Sequence, residues 1–188
     1  MLPCRSRGLL RVVITLFTSP LFGALTSATS LVNVTVDDTF GNSEENLQIT
    51  YQPDGSWSQG VDCTNCEAHL DTTKVHSGTW HDTTYFSDNP PSSPLSASLT
   101  FNGVAIYVYC IVTRASTDPF GNSDMTFYLD GNQVGTFVQP PNGDPTYQYS
   151  VPVYVNEAIP SGKHTFTLVN GRAGEQTALA LLDYIVFS

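Results

Sequence analysis

The densest run of chemically capable side chains lies between Asp71 and Asp88, and it holds His76, Trp80, His81, Asp82 and Tyr85. Histidine titrates near neutrality and carboxylates move protons when their environment tunes them, so such a run invites an acid–base reading. The spacing argues against a simple dyad. On an extended strand over Thr79–Phe86, Trp80, Asp82 and Thr84 point one way, and Thr79, His81, Thr83 and Tyr85 the other. His81 and Asp82 therefore face apart. No Gly-x-Ser-x-Gly elbow and no His-Glu-x-x-His pair occurs anywhere in the chain. A glycosidase would need two facing carboxylates, and the sequence offers seventeen acids without singling out a pair.

Sugar binding asks for less. The apolar C–H face of a sugar lies on an aromatic ring, while its hydroxyls meet polar side chains at a concave site. Trp57, Trp80 and Tyr85, with His81 and Asp82, are the candidate residues. The same rings are ordinary core residues of a β-sandwich. Exposed Trp57 and Trp80 would support a binding site, and buried ones would favour a scaffold.

Two segments echo each other: Asp38-Thr-Phe-Gly-Asn-Ser-Glu44 and Asp118-Pro-Phe-Gly-Asn-Ser-Asp124. Their oxygen-bearing side chains, Asp38, Asn42, Asp118 and Asn122, are the type that a hard cation such as calcium prefers. Asn and Gly in turns account for the same composition without a metal. The spacing matches no EF-hand loop, and no motif calls for another cofactor. Cys63 and Cys66 are expected to close a small disulfide loop, which leaves Cys110 as a buried thiol. Asn33-Val34-Thr35 is a glycosylation sequon.

The elements that must carry these residues are strands. From residue 31 onward, short runs of period two alternate with turn signals. About ten strands are expected, at Leu31–Val36, Leu47–Tyr51, Thr79–Phe86, Ser96–Phe101, Val104–Val112, Met125–Asp130, Gln133–Val138, Tyr147–Tyr154, His164–Val169 and Ala178–Phe187. Asn102-Gly103 and Asp130-Gly131 read as hairpin turns. In the fifth strand, Val104, Ile106, Val108, Cys110 and Val112 form a core face, opposite Tyr107 and Tyr109. In the last, Leu179, Leu181, Ile185 and Phe187 are expected to share a face with Asp183. A carboxylate in that row must meet backbone N–H groups, a basic side chain or a metal. The pattern predicts one all-β domain, a sandwich or jelly roll.

Residues 1–28 read as a secretory signal peptide: Arg5, Arg7 and Arg11, a short apolar run from Val12 to Leu25, then small residues around Ala28. The domain is expected over 29–188, secreted into the extracellular space, with no membrane span in the mature chain. Beyond residue 28, four basic residues remain against seventeen acids, a net charge of −13. That field repels nucleic acid and anionic membranes.

Several motifs follow in order: Val36-Asp-Asp-Thr-Phe-Gly41, Trp57-Ser-Gln-Gly60, Cys63-x-x-Cys66, Gly78-Thr-Trp-His-Asp-Thr-Thr84, Phe101-Asn-Gly-Val-Ala-Ile-Tyr-Val-Tyr109, Phe127-x-Leu-Asp-Gly131, Tyr149-Ser-Val-Pro-Val-Tyr154, Gly162-Lys-His-Thr165 and Leu182-Asp-Tyr184. Together they resemble a large family of secreted and single-span cell-surface proteins of mushroom-forming fungi. The resemblance implies a jelly roll similar to galactose-binding-like carbohydrate-binding modules, with no catalytic residues to carry over. Three functions fit these readings. The first is a non-catalytic module for an extracellular glycan or cell-wall polysaccharide. The second is a structural or interaction protein of the cell surface without a small ligand. The third is a hydrolase using paired carboxylates. The oligomeric state is not legible.

Overall fold

The computed structural model describes residues 31–188. The expected signal peptide, 1–28, lies outside them. Eleven strands form: β1 (Val34–Asp37), β2 (Thr50–Gln52), β3 (Ser58–Gln59), β4 (His81–Tyr85), β5 (Leu95–Gly103), β6 (Ile106–Arg114), β7 (Ser123–Leu129), β8 (Asn132–Gln139), β9 (Asp144–Asn156), β10 (Gly162–Asn170) and β11 (Ala178–Phe187). All ten expected strands are present, nine with shifted ends and Ala178–Phe187 with the expected ones. The addition is β3, whose two residues carry no periodic signal. The first sheet runs β3-β4-β11-β6-β9 with β1 also on β11, and the second runs β2-β5-β10-β7-β8. Every pairing is antiparallel. The chain crosses repeatedly between the sheets, which gives a jelly-roll sandwich.

The core lies between the sheets. Leu99, Phe101, Phe127 and Phe166 of the second sheet meet Ile106, Val108 and Cys110 of the first. Cys110 is buried and free, as its place on the apolar face of β6 requires, and burial pushes its thiol pKa up. The turn at Asp130-Gly131 is a hairpin between β7 and β8, with φ of 52° and 79°. These paired positive angles are what a tight hairpin needs. Asn102-Gly103 is not a hairpin. Gly103 ends β5 in the second sheet, and the chain crosses to β6 in the first. The apolar residues Ala105, Ile106 and Val108 are buried after that crossing.

The expected single face of β11 is also corrected. The β11–β6 register shifts between Leu182 and Tyr184, so Asp183 is an extra residue in the ladder. A bulge of one residue exchanges the two faces beyond it. Ala180 and Leu182 therefore face the main core before the bulge, and Ile185 and Phe187 face it afterwards. Leu179 and Leu181 point to the outer side of the sheet. The other edge of β11 changes partner at the same place, with β4 holding Ala178–Leu182 and β1 holding Tyr184–Phe187.

The segment from 60 to 80 has no long strand or helix. It lies over the outer face of the first sheet, where Ala68, Val75 and Trp80 pack on Ile111, Leu179 and Leu181. The Cys63–Cys66 disulfide closes a small loop within it.

Candidate functional site

The aromatic rings expected to stack on a ligand are inside the protein. Trp57 is 7% exposed, Trp80 3% and Tyr85 6%. Trp57 packs in the main core at 5.2 Å from Tyr51. Trp80 is the plug by which the 60–80 segment seals onto the sheet. Tyr85 closes a small cluster with Leu95 and Ala178. A sandwich with one partly covered face has apolar ground to fill under the cover, and these large rings fill it. The stacking surface is therefore not made of these three.

His81 and Asp82 diverge as the strand pattern requires. His81 turns inward to an acidic junction where β1, β4 and β11 meet. Its Nδ1 lies 2.7 Å from Asp38 Oδ2, and its ring stacks on Tyr51 with centroids 4.0 Å apart. Thr79 and Thr39 hydroxyls also donate to Asp38, each at 2.7 Å. Asp37 accepts the backbone N–H groups of Thr39 and Phe40. Asp183 accepts the backbone N–H of His76 at 2.8 Å, which ties the covering segment to the bulge. Burial raises the Asp183 carboxyl to about 7, the His76 N–H opposes this, and the charges of Asp38 and Asp37 add to it. The expected partner for that carboxylate is thus a loop N–H.

The oxygen-bearing residues of the two echo segments are largely occupied. Asn42 donates to Thr35 O and accepts from the Glu45 N–H. Asn122 donates to Thr177 O. Asp118 is exposed, in a turn with a cis bond to Pro119. Among the described residues no three His, Cys, Asp or Glu side chains converge as metal ligands. Asn33 is exposed just ahead of β1.

The 60–80 segment covers the outer face around Ile111, Leu179 and Leu181 and leaves another part of it open. That part carries Tyr107 and Tyr109 of β6 and Tyr184 of β11, all partly exposed. Tyr109 and Tyr184 are cross-strand partners, stacked with centroids 4.6 Å apart and planes at 17°. His76 continues the row at 4.8 Å from Tyr184. The Tyr107 hydroxyl donates to Glu157 at 2.8 Å. Alternation on β6 already placed Tyr107 and Tyr109 outward. With Ile185 and Phe187 inward, alternation on β11 puts Tyr184 outward as well, but its place beside Tyr109 depends on the β11–β6 pairing, which the sequence does not show.

Asp82 points elsewhere. It lines a cavity of about 340 Å³ beside the disulfide, together with Glu67, Phe86, Phe120 and Leu179. Burial, then repulsion from Glu67, raises the Asp82 carboxyl to about 6.

No family model and no curated protein matches the chain. Several solved structures are similar at low identity. A family 35 carbohydrate-binding module from Clostridium thermocellum is 11% identical over 84% of this chain and 99% of that one, with a TM-score of 0.45. The CBM36-1 domain of a multidomain xylanase from the hindgut metagenome of Trinervitermes trinervoides is 13% identical over 84% and 97%, with a TM-score of 0.44. An exo-β-1,3-galactanase from Phanerochaete chrysosporium, solved with β-1,3-galactotriose, is 17% identical over 84% of this chain, with a TM-score of 0.45. The chain spans less than a third of the length of the enzymes it matches, 29% of that galactanase, 31% of a family two carbohydrate esterase from Clostridium thermocellum and 18% of a cycloisomaltooligosaccharide glucanotransferase from Paenibacillus sp..

Proposed function

We propose that the protein is a non-catalytic, secreted module that binds an extracellular glycan or cell-wall polysaccharide, at a fungal surface or on plant-derived material. The observation that carries this reading is the open part of the first sheet's outer face. There Tyr107, Tyr109 and Tyr184 form a row of partly exposed rings with polar tips, bordered by His76 and Glu157. Such a row offers apolar faces to sugar C–H groups and hydroxyls to sugar oxygens. The row sits on paired strands, so its spacing is set before a ligand arrives, which lowers the cost of binding.

The test is a polysaccharide pull-down and glycan array, run with calcium and with chelator. The Tyr109→Ala/Tyr184→Ala double variant is expected to lose tenfold or more in affinity, about 1.4 kcal/mol. An unchanged affinity in that variant would remove the site. Blank arrays under both conditions would remove the glycan reading.

A second reading is an interaction protein of the cell surface without a small ligand. The burial of Trp57 and Trp80 favours it, because the two largest rings serve packing. Under that reading the tyrosine row is a protein contact, and glycan binding is absent at every calcium level.

A further inference from the structure

Five aspartates are buried among the described residues: Asp37, Asp38, Asp82, Asp124 and Asp183. Four of them have partners, although Asp37 and Asp183 each leave a second oxygen buried without one. Asp37 and Asp183 accept backbone N–H groups, Asp38 takes His81 and two hydroxyls, and Asp124 takes Arg172 at 2.6 Å. Asp82 is 7% exposed and accepts no hydrogen bond from a described side chain or loop N–H. The Asp82 oxygens are not among the buried atoms that lack a partner, so they meet the water of the cavity that the residue lines, and a largely desolvated carboxylate facing a cavity is a common mark of a ligand site. The cavity that Asp82 lines also holds Glu67, whose charge repels it, and no lysine, arginine or histidine. The cavity thus presents two carboxylates and no basic side chain.

We propose that this cavity binds a glycan bearing free amino groups, with Asp82 and Glu67 holding the ammonium and Phe86 and Phe120 taking the apolar face of the sugar ring. Phe86 is 55% exposed and lines the cavity with Phe120, so apolar ring surface borders the two carboxylates. A volume of about 340 Å³ is within the range of small-molecule sites. An ammonium needs only a few acceptors and gives three donors, which Asp82, Glu67 and the nearby Ser58 and Thr84 can meet. Calcium wants six to eight oxygens, and among the described residues no third His, Cys, Asp or Glu side chain joins these two carboxylates as a ligand. A lysine side chain shares the charge but has no broad ring face to lay against two phenylalanines. This site is distinct from the tyrosine row and does not depend on it.

The experiment is calorimetric titration at about pH 6.5, where the Asp82 carboxyl is mostly ionised and an amino sugar carries charge. The probes are a glucosamine oligomer, its N-acetylated counterpart, a lysine amide and calcium chloride. The free-amine oligomer is expected to bind at least tenfold tighter than the other three. Asp82→Asn should abolish the preference, and Glu67→Gln, at an exposed position, should weaken it severalfold without touching the core. Equal binding of the free and acetylated oligomers would overturn the proposal, as would no binding at all or an undiminished preference in a folded Glu67→Gln. Lysine amide or calcium binding as tightly would overturn the sugar assignment. The Tyr109→Ala/Tyr184→Ala variant should keep the preference. If it loses the preference, the amine is read at the tyrosine face and the cavity assignment falls.

Discussion

Asp183 has one carboxylate oxygen bonded to the His76 N–H, while the other is buried without a partner. Its carboxyl is raised to about 7, and that of Asp82 to about 6. Both lie above the roughly 3.9 of an unfolded chain, so the folded state holds more protons between those values. The sign follows: these two groups withdraw stability as pH climbs from about 4 to 7. Thermal unfolding followed across that range should show a falling Tm, and Asp183→Asn should flatten the slope and raise Tm at neutral pH. A wild-type Tm that climbs steadily from pH 4.5 to 7 would contradict this. Below about pH 4 the exposed Asp71, Asp130 and Asp144, all lowered by hydrogen bonds, pull the other way. At this scale the sequence was readable where alternation decides. Cys110 falls on the core face of β6, His81 and Asp82 face apart, and Asp183 needs an internal partner. Trp57, Trp80 and Tyr85 were not readable, because a ring that could stack on a sugar has the same letter as one that fills a core.

Among the elements, the covering segment from 60 to 80 decides how much of the first sheet is open. Its seal is tight at one point. A Cβ on Gly60 would lie 2.0 Å from the Trp80 indole, so the indole sits where a side chain would be. Gly60→Ala should destabilise the domain by about 1–3 kcal/mol and alter the near-ultraviolet signal of Trp80. A neutral substitution would mean that Trp80 is free to shift. The Cys63–Cys66 link closes a loop with a sequence separation of three. So short a loop saves the folded state about 2 kcal/mol of chain entropy. Cys63→Ser/Cys66→Ser should therefore lower Tm by roughly 4–8 °C while the sandwich stays folded. Loss of the whole fold would show that the link does more than close a loop. Strand positions were legible because period two persists from β4 to β11. What the pattern missed was irregular. The bulge at Asp183 is a one-residue slip that leaves the letters of β11 unchanged. The Asn102-Gly103 turn has hairpin chemistry, but the buried residues after it draw the chain into the opposite sheet.

As a whole, the domain carries −13 beyond residue 28 on a compact sandwich. Like charges at that density repel one another, and salt screens them over about 10 Å at 0.1 M. Raising monovalent salt from near zero to physiological strength should increase Tm by a few degrees, and an insensitive Tm would mean that the acids are already paired or well separated. The layout of β1 and β11 has a mechanical consequence. Val34 lies opposite Phe187 and Asp37 opposite Tyr184, so the strand entering the sandwich and the strand leaving it lie edge to edge with their outer ends together. Tension applied between Leu31 and Ser188 would load that seam one bond at a time, as a zip opens, and β1 would peel at low force. Peeling would slow at Asp37 and Asp38, where Thr79, His81 and the backbone of β11 hold on together. Under load the acidic junction is a stop, beyond which the rest of the sandwich is still closed.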